Sequence, residues 1–208
     1  MSPMKTFYLT IVLALTAALS GCGSNPMWER QEFAFSVPAD PPAPVTGTNI
    51  VALSRVTVSP LFQRRSFTYR TAENTYEQDP YAGFFVSPEH ALAEPIRARL
   101  RHDGIFGRVI EPRSALTPSL IVEASVIELD GDFRDPSHPI AEIAIHFIVY
   151  ESGPEGPGRV LLDKVCARRT ALARRTPVAL MASWDLDLRK IMDELNSDYA
   201  KTDFNDRR

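Results

Sequence analysis

The chain has 208 residues, with 23 Lys or Arg against 26 Asp or Glu and a formal net charge of −3 at pH 7. This mild acidity argues against nucleic acid as the main partner, and the length is typical of one domain with a tail. Because 44% of the residues are hydrophobic, we expect a packed core, and a globally disordered chain is excluded.

The N-terminus has the pattern of a secretory signal. Lys5 precedes an uncharged, mostly apolar run over residues 7–19, which is shorter than the roughly 20 residues of a membrane-spanning helix. The following Leu19-Ser20-Gly21-Cys22 resembles the lipobox of bacterial lipoproteins. The resemblance implies that residues 1–21 are removed and that Cys22 is lipidated. The resemblance also favours the outer membrane, because Gly23 rather than an aspartate follows the cysteine. The alternative is an ordinary signal with a chance cysteine.

Residues 22–48 have the composition of a tether. Pro38, Pro41, Pro42 and Pro44 disfavour helix. Within the segment, Phe33, Phe35 and Val37 alternate with small residues, which predicts a short strand that docks onto the domain. With Cys22 lipidated, Cys166 has no partner for an intramolecular disulfide, and we expect it to fill space in the core.

The folded domain is predicted over residues 49–200. Residues 50–59 are rich in β-branched types and indicate a strand. Residues 67–71 and 75–78 form a hairpin with its turn at 72–74. Ser87-Pro88 marks the start of a helix that ends at Asp103-Gly104. Pro95 either kinks this helix or marks its true start.

The second half of the domain predicts more strands and one more helix. Strands are expected at 105–110, at 120–129 with a bulge, and in a hairpin of 141–150 with 159–169 around the loop 153–158. A helix follows over 177–199, and residues 201–208 form a frayed tail. Together these elements predict an α+β fold: a single mixed, mostly antiparallel β-sheet with two helices packed on one face.

Few residues suggest chemistry, and no cofactor or metal site is predicted. The four histidines are scattered, Cys166 lacks a nucleophile signature, and phosphate-binding and dinucleotide motifs are absent from the sequence. The densest acidic group is Asp130, Asp132 and Asp135, in the segment Asp130-Gly-Asp-Phe-Arg-Asp-Pro136. It fits a turn or interaction loop; a calcium site and an acid–base pair are the alternatives.

A basic group lies near the end of the last predicted strand. Arg168, Arg169, Arg174 and Arg175 could meet lipid phosphates or an acidic partner, or form a solvated face.

Three segments together resemble a known family. They are Arg65–Phe84, then Arg99-Leu100 through Gly104–Val109, then Gly131–Pro136 with Pro139–Ala141. In this order, and with the lipobox, the chain resembles the ABC-type transport auxiliary lipoproteins that accompany Mce-type transporters, over roughly residues 33–198. One departure is Asp130, where the family has an apolar or aromatic residue before Gly131.

The resemblance implies a non-catalytic lipoprotein that docks a periplasmic lipid-transfer assembly at the outer membrane. The partners would be an Mce-domain protein with a separate ATPase and permease, and the membrane through Cys22. A homo-oligomer is compatible with the resemblance. Because Arg and aromatic residues dominate binding hot spots, the candidate partner contacts are Phe67, Tyr69 and Arg70 on an exposed hairpin, and Asp132, Phe133 and Arg134 in a loop. For Tyr69 and Phe133, core packing is the alternative.

Two other functions are compatible with this sequence. The first is a lipoprotein binding module that assists outer-membrane or lipopolysaccharide assembly. The second is a periplasmic enzyme, which would need a cleft with convergent titratable groups.

Overall fold

A computed structural model describes residues 29–111, 113–154 and 156–202. The predicted signal, Cys22 and the last six residues lie outside these ranges. The strands are β1 (Gln31–Phe33), β2 (Ile50–Val58), β3 (Ser66–Ala72), β4 (Thr75–Phe84), β5 (Arg108–Ile110), β6 (Leu120–Asp132), β7 (Ile140–Gly153) and β8 (Gly156–Ala171). The helices are a 3₁₀ turn (Pro60–Phe62), α1 (Pro88–His102) and α2 (Pro177–Lys201).

Strand β6 organises the sheet. Antiparallel β7 follows one edge of β6 along its whole length, and β8 pairs with β7. The other edge of β6 is shared by two parallel strands, β2 beside its first half and β3 beside its end. Strand β4 pairs antiparallel with β3, β1 pairs parallel with β4, and β5 pairs parallel with β2. The eight-stranded, mostly antiparallel sheet and the two helices confirm the predicted α+β class.

The predicted bulge lies near the middle of β6. The register of β6 against β7 shifts between Val126 and Glu128. Before the shift, alternate residues from Leu120 to Val126 are buried, and after it Leu129 is buried. An inserted residue changes which face a side chain occupies. The bulge therefore keeps apolar residues in the core although the sequence changes phase.

Helix α2 covers one face of the sheet. The Thr176 hydroxyl accepts a hydrogen bond from the Ala179 N–H at 3.2 Å, and Pro177 occupies the first turn. Its buried residues, among them Leu180, Trp184 and Leu188, pack against β7 residues such as Ile145, and each buried aliphatic side chain contributes roughly 1.5–3 kcal/mol.

Helix α1 begins at Pro88 and continues through Pro95, so Pro95 does not mark the start of the helix. Its side chains Leu92, Ile96 and Leu100 are buried in the same hydrophobic core as those of α2.

A strap of residues 34–49 crosses the helical layer between β1 and β2. Phe35 is buried, with its ring 5.8 Å from that of Phe84. The Ser36 hydroxyl donates to Asp185 Oδ2 at 2.6 Å, and the Ala43 N–H donates to the His102 carbonyl at 2.8 Å. The docking strand predicted from the alternation of Phe33, Phe35 and Val37 overlaps β1 only at Phe33, because residues 34–37 are not in a strand. This segment docks onto the domain through Phe35 and Ser36.

Two strand boundaries differ from the predictions. A strand was predicted over residues 105–110, but β5 begins at Arg108. The backbone before Arg108 packs against the strap, since a Cβ on Gly107 would lie only 2.8 Å from the Thr48 carbonyl. Strands β7 and β8 extend to a pair between Gly153 and Gly156, so the loop predicted at 153–158 is mostly strand. In the described ranges no helix is long and apolar enough to cross a membrane.

Candidate interaction surface

The turn between β3 and β4 and the loop after β6 meet at one end of the sheet. Tyr69 and Arg70 pair with Gly131 and Asp132, respectively. The pairing continues into the loop, because the Phe133 N–H donates to the Arg70 carbonyl at 2.8 Å. Two segments that are more than 60 residues apart in sequence therefore form one surface.

Aromatic packing supports this surface from the core side. The centroids of the Phe133 and Tyr69 rings lie 4.8 Å apart, and the Arg175 guanidinium lies 4.4 Å from the Phe133 centroid. The Tyr69 hydroxyl donates to Asp79 Oδ2 at 2.5 Å. Burial, and then this hydrogen bond, raise the pKa of Tyr69. Phe133 is 4% exposed, so it packs in the core rather than facing a partner.

The prediction that Phe67 is an exposed contact is wrong. Its side chain is completely buried, with ring centroids 4.9 Å from Phe84 and 5.0 Å from Trp184. The irregularity beside Phe67 lies in β4, because the pairing moves two residues along β3, from Ser66 to Thr68, and five along β4, from Gly83 to Gln78. Alternation along β3 places Phe67 on the same face as Tyr69, whose ring packs on Phe133, and Arg70 on the opposite face.

A group of charged residues, here called the sheet-end cluster, covers the opposite side of these strands. Its members are Arg70, Glu73, Asp130, Asp132, Arg134, Glu142 and Arg169. The Arg134 guanidinium binds Asp132 in a bidentate way, with Nε–Oδ1 and Nη2–Oδ2 distances of 2.9 and 2.7 Å. The hydrogen bonds from Arg134 lower the pKa of Asp132 to about 2.

Glu73 connects the hairpin turn to the loop. Its carboxylate lies 3.3 Å from Arg134 and 3.7 Å from Arg70, and its side chain is 79% exposed. The Arg70 guanidinium also donates to the Glu73 backbone carbonyl at 2.7 Å. Glu73 is therefore an accessible carboxylate held between two arginines.

Two buried acids lie beneath the exposed part of the cluster. Asp130 and Glu142 are 2% and 3% exposed and are direct cross-strand neighbours. Arg169 lies 2.7 Å from Glu142, whereas Asp130 Oδ2 has no hydrogen-bond partner among the described residues. Burial raises the pKa of Asp130 to about 7, and the negative charge of Glu142 contributes to the same shift.

The loop also borders an open depression of about 430 Å³, lined by Asp132, Arg134, Asp135, His138 and Ile140. The His138 ring nitrogen Nδ1 lies 2.8 Å from Asp135 Oδ2, and both side chains are more than half exposed. The depression thus offers acidic and basic groups of high exposure beside the buried part of the cluster.

The three aspartates proposed as a calcium alternative have different partners. Asp132 binds Arg134, Asp135 binds His138, and Asp130 is buried. Over the described ranges, no group of three or more His, Cys, Asp or Glu side chains could hold a metal ion.

Three of the four residues in the basic group bind within the domain. Arg168 lies 2.8 Å from Glu194, Arg169 binds Glu142, and Arg175 stacks on Phe133. The charges of these three arginines are therefore used within the domain and do not form a bare cationic patch.

Cys166 is 1% exposed, and burial raises the pKa of its thiol to about 11. It is therefore a neutral thiol at neutral pH, as expected for a residue that fills space in the core.

Glu142 was not predicted as a site residue, and Arg169 was predicted only as a member of the basic group. The available signal was the hairpin of β7 and β8, in which these two residues are cross-strand partners. That register continues to the pair between Gly153 and Gly156, within the segment that was predicted as a longer loop.

The comparisons with known proteins concern the fold. No protein-family model matches the chain, and no curated protein matches it in sequence. A crystal structure of a Xanthomonas campestris protein from the DUF330 family is similar over 79% of this chain and 92% of its own, with 16% identity and a TM-score of 0.67. A second crystal structure, of an uncharacterized protein, covers 81% of this chain and 97% of its own, with 8% identity and a TM-score of 0.63. This chain therefore shares its fold of one sheet and two helices with a DUF330 family protein.

Proposed function

We propose that this protein is a non-catalytic lipoprotein subunit of an Mce-type ABC transport system. In this proposal Cys22 carries the lipid anchor in the outer membrane, and the domain faces the periplasm. The domain docks an Mce-domain protein, while the ATPase and the permease are separate chains. An anchor with several acyl chains holds the domain at the membrane, because each CH₂ group buried in the bilayer contributes about 0.8 kcal/mol to the free energy of membrane binding.

The observation that carries the proposal is the contact between two of the resembling segments. The β3–β4 hairpin and the loop after β6 pair through Tyr69 and Gly131 and share the sheet-end cluster. The remaining segment, which includes Gly104, packs against the strap instead, and the Gly104 carbonyl accepts a hydrogen bond from the Thr46 N–H at 2.8 Å. Two of the three resembling segments therefore form one surface, and the remaining segment attaches the strap to the domain.

The chemistry of this surface supports a protein partner. Glu73, Asp135 and His138 are exposed, while Asp132 and Arg134 are fixed by bidentate hydrogen bonds. Fixed and partly exposed charges lose little side-chain entropy on binding, which favours specific docking. The fold shared with the DUF330 protein is compatible with this role.

The experiment is a pull-down of the detergent-solubilised, full-length lipoprotein, with mass spectrometry of the proteins that co-purify. The test variant is Glu73→Lys, which reverses an exposed charge that lies near two arginines. Glu111→Lys is a matched control, because Glu111 is 59% exposed and also lies near two arginines, Arg97 and Arg101.

Recovery of an Mce-domain protein that is lost with Glu73→Lys and kept with Glu111→Lys supports both the role and the surface. Recovery with both variants supports the role and contradicts the surface. If proteins of outer-membrane or lipopolysaccharide assembly are recovered without an Mce-domain protein, the transport role is wrong and the alternative binding module is favoured.

A further inference from the structure

The described part of the chain begins beside an exposed patch that the proposed docking role does not use. Strand β1 pairs with the end of β4, and the Phe85 N–H donates to the Phe33 carbonyl at 2.8 Å. Around this junction lie Arg30, Arg65, Tyr81, Phe85 and Val86, here called the anchor-side patch. Phe85 is 63% exposed, Tyr81 48% and Val86 39%.

The alternation along β4 separates this patch from the core. Ala82 and Phe84 are buried, with 1% and 2% exposure, whereas Tyr81 and Phe85 are exposed. Gly83 lies between the two aromatic residues on the exposed face. A Cβ on Gly83 would lie 2.9 Å from the Arg30 guanidinium and 2.2 Å from the Arg65 carbonyl. Glycine therefore allows Arg30 and the Arg65 backbone to lie between Tyr81 and Phe85.

The charge of the patch is balanced rather than strongly basic. The Arg65 guanidinium lies 2.6 Å from the Glu32 carboxylate, and the Arg30 guanidinium lies 4.0 Å from the same carboxylate. The apolar and aromatic area is thus the larger feature. Exposed aromatic residues beside arginines are the types that lie at the interface between a membrane and water.

The length of the chain fixes where this patch can lie. Glu29 is the seventh residue after Cys22, and seven residues span at most about 25 Å when fully extended. A lipid on Cys22 would therefore keep Glu29, and the β1–β4 junction beside it, close to the bilayer. The strap follows β1 in the chain, whereas Cys22 precedes β1. The length of the strap therefore adds nothing to the distance between the lipid anchor and the domain.

We propose that the anchor-side patch rests on the bilayer that holds the lipid anchor, with Phe85 and Val86 in the interfacial region. This inference rests on the proposed lipidation of Cys22. The contact orients the domain, so that the sheet-end cluster is presented in a fixed direction and not on a freely moving tether.

The test places a fluorophore on single cysteines introduced into the full-length lipoprotein. Cys166 is buried and Cys22 would be acylated, so the introduced cysteine is the thiol available to a nitrobenzoxadiazole label. Phe85→Cys places the label in the patch. Val160→Cys is the control, because Val160 is 54% exposed on β8, at the other edge of the sheet.

The labelled proteins are reconstituted into vesicles of phosphatidylethanolamine and phosphatidylglycerol that contain nitroxide-labelled lipid. Flotation of the vesicles reports the anchor, and quenching of the fluorophore reports the patch. The expected result is flotation of both variants, with loss of fluorescence and a blue shift at position 85 and neither change at position 160.

Equal, weak quenching at both positions in protein that floats would overturn the membrane contact and leave the anchor intact. A blue shift at position 85 that depends on protein concentration, without quenching by the lipid, would also overturn it, because a second copy would then cover the patch. If the protein does not float, the anchor itself is absent and the inference fails together with the lipidation on which it rests.

Discussion

The rings of Tyr69 and Phe133 lie 4.8 Å apart over Gly131, the residue that pairs with Tyr69 in the sheet. A Cβ at position 131 would lie 2.9 Å from Phe133 Cζ and 3.2 Å from Tyr69 Cδ1. The glycine therefore leaves the space in which the hairpin and the loop pack together. Because the loop carries Arg134, the position of these two rings determines the geometry of the sheet-end cluster.

Gly131→Ala should destabilise the domain, because the new methyl group overlaps the Phe133 ring and forces it to move. Overpacking of this kind costs about 1–3 kcal/mol. Urea denaturation of the variant measures the loss. Gly153→Ala is the control, since its Cβ would make an ordinary contact at 3.4 Å. Equal stability of Gly131→Ala and the unmodified protein would show that the Tyr69 and Phe133 rings can move aside without loss of stability.

Asp130 should make the free energy of unfolding depend on pH. Its pKa is about 7 in the folded protein and 3.8 as the reference for the unfolded chain. Between pH 4 and pH 7 the folded state holds a proton that the unfolded state releases, so stability falls as the pH rises.

Asp130→Asn should therefore remove this decrease and stabilise the domain at pH 8, on the order of 1–3 kcal/mol, with little change at pH 4. Chemical denaturation at a series of pH values measures both slopes. Asp193→Asn is a suitable control, because Asp193 is exposed on α2. If the free energy of unfolding of Asp130→Asn still decreases from pH 4 to 7, other titratable groups cause the decrease.

Asp132 should act in the opposite direction. Arg134 lowers the pKa of Asp132 to about 2, so its ion pair contributes stability above pH 4 that is lost as the pH falls towards 2. Asp132→Asn should reduce stability at pH 7 and flatten the acid side of the profile. The same series of denaturation experiments measures this effect. If stability falls equally in Asp132→Asn and in the unmodified protein as the pH decreases from 4 to 2, the ion pair does not cause the loss.

Asp185→Ala should loosen the strap without unfolding the domain. Asp185 accepts hydrogen bonds from the Ser36 N–H at 2.7 Å and from the Ser36 hydroxyl at 2.6 Å. Their loss should cost about 1–3 kcal/mol and speed amide hydrogen exchange in residues 34–48. Asp193→Ala, an exposed change on the same helix, should leave that exchange unchanged. Faster exchange in both variants would indicate a general effect on α2.

Cys22→Ser should prevent attachment to the membrane. The variant lacks the thiol that would receive diacylglycerol, so metabolic labelling with radioactive palmitate should be lost and the protein should be recovered in the periplasmic fraction. Cys166→Ser keeps Cys22 and should still incorporate palmitate. Incorporation of palmitate by Cys22→Ser would show that the lipobox resemblance is misleading.

The sequence by itself determined the elements with strong local signals. The strand predicted over residues 141–150 lies within β7, where the alternating residues Ile143, Ile145, Phe147 and Val149 are 0–1% exposed. Ser87-Pro88 and Asp103-Gly104 predicted both ends of α1, because a proline in the first turn and a glycine after the last turn are local backbone requirements.

Only the tertiary structure decided which side chains form the surface. Phe67 and Arg70 lie on opposite faces of β3, and the packing of Phe67 against Phe84 and Trp184 decides that its face is the buried one. The burial of Asp130 and the pairing of Arg169 with Glu142 depend on the register of three strands. Local periodicity determines the faces of one strand, whereas contacts between strands depend on bulges and turns whose effect appears only when the whole sheet is assembled.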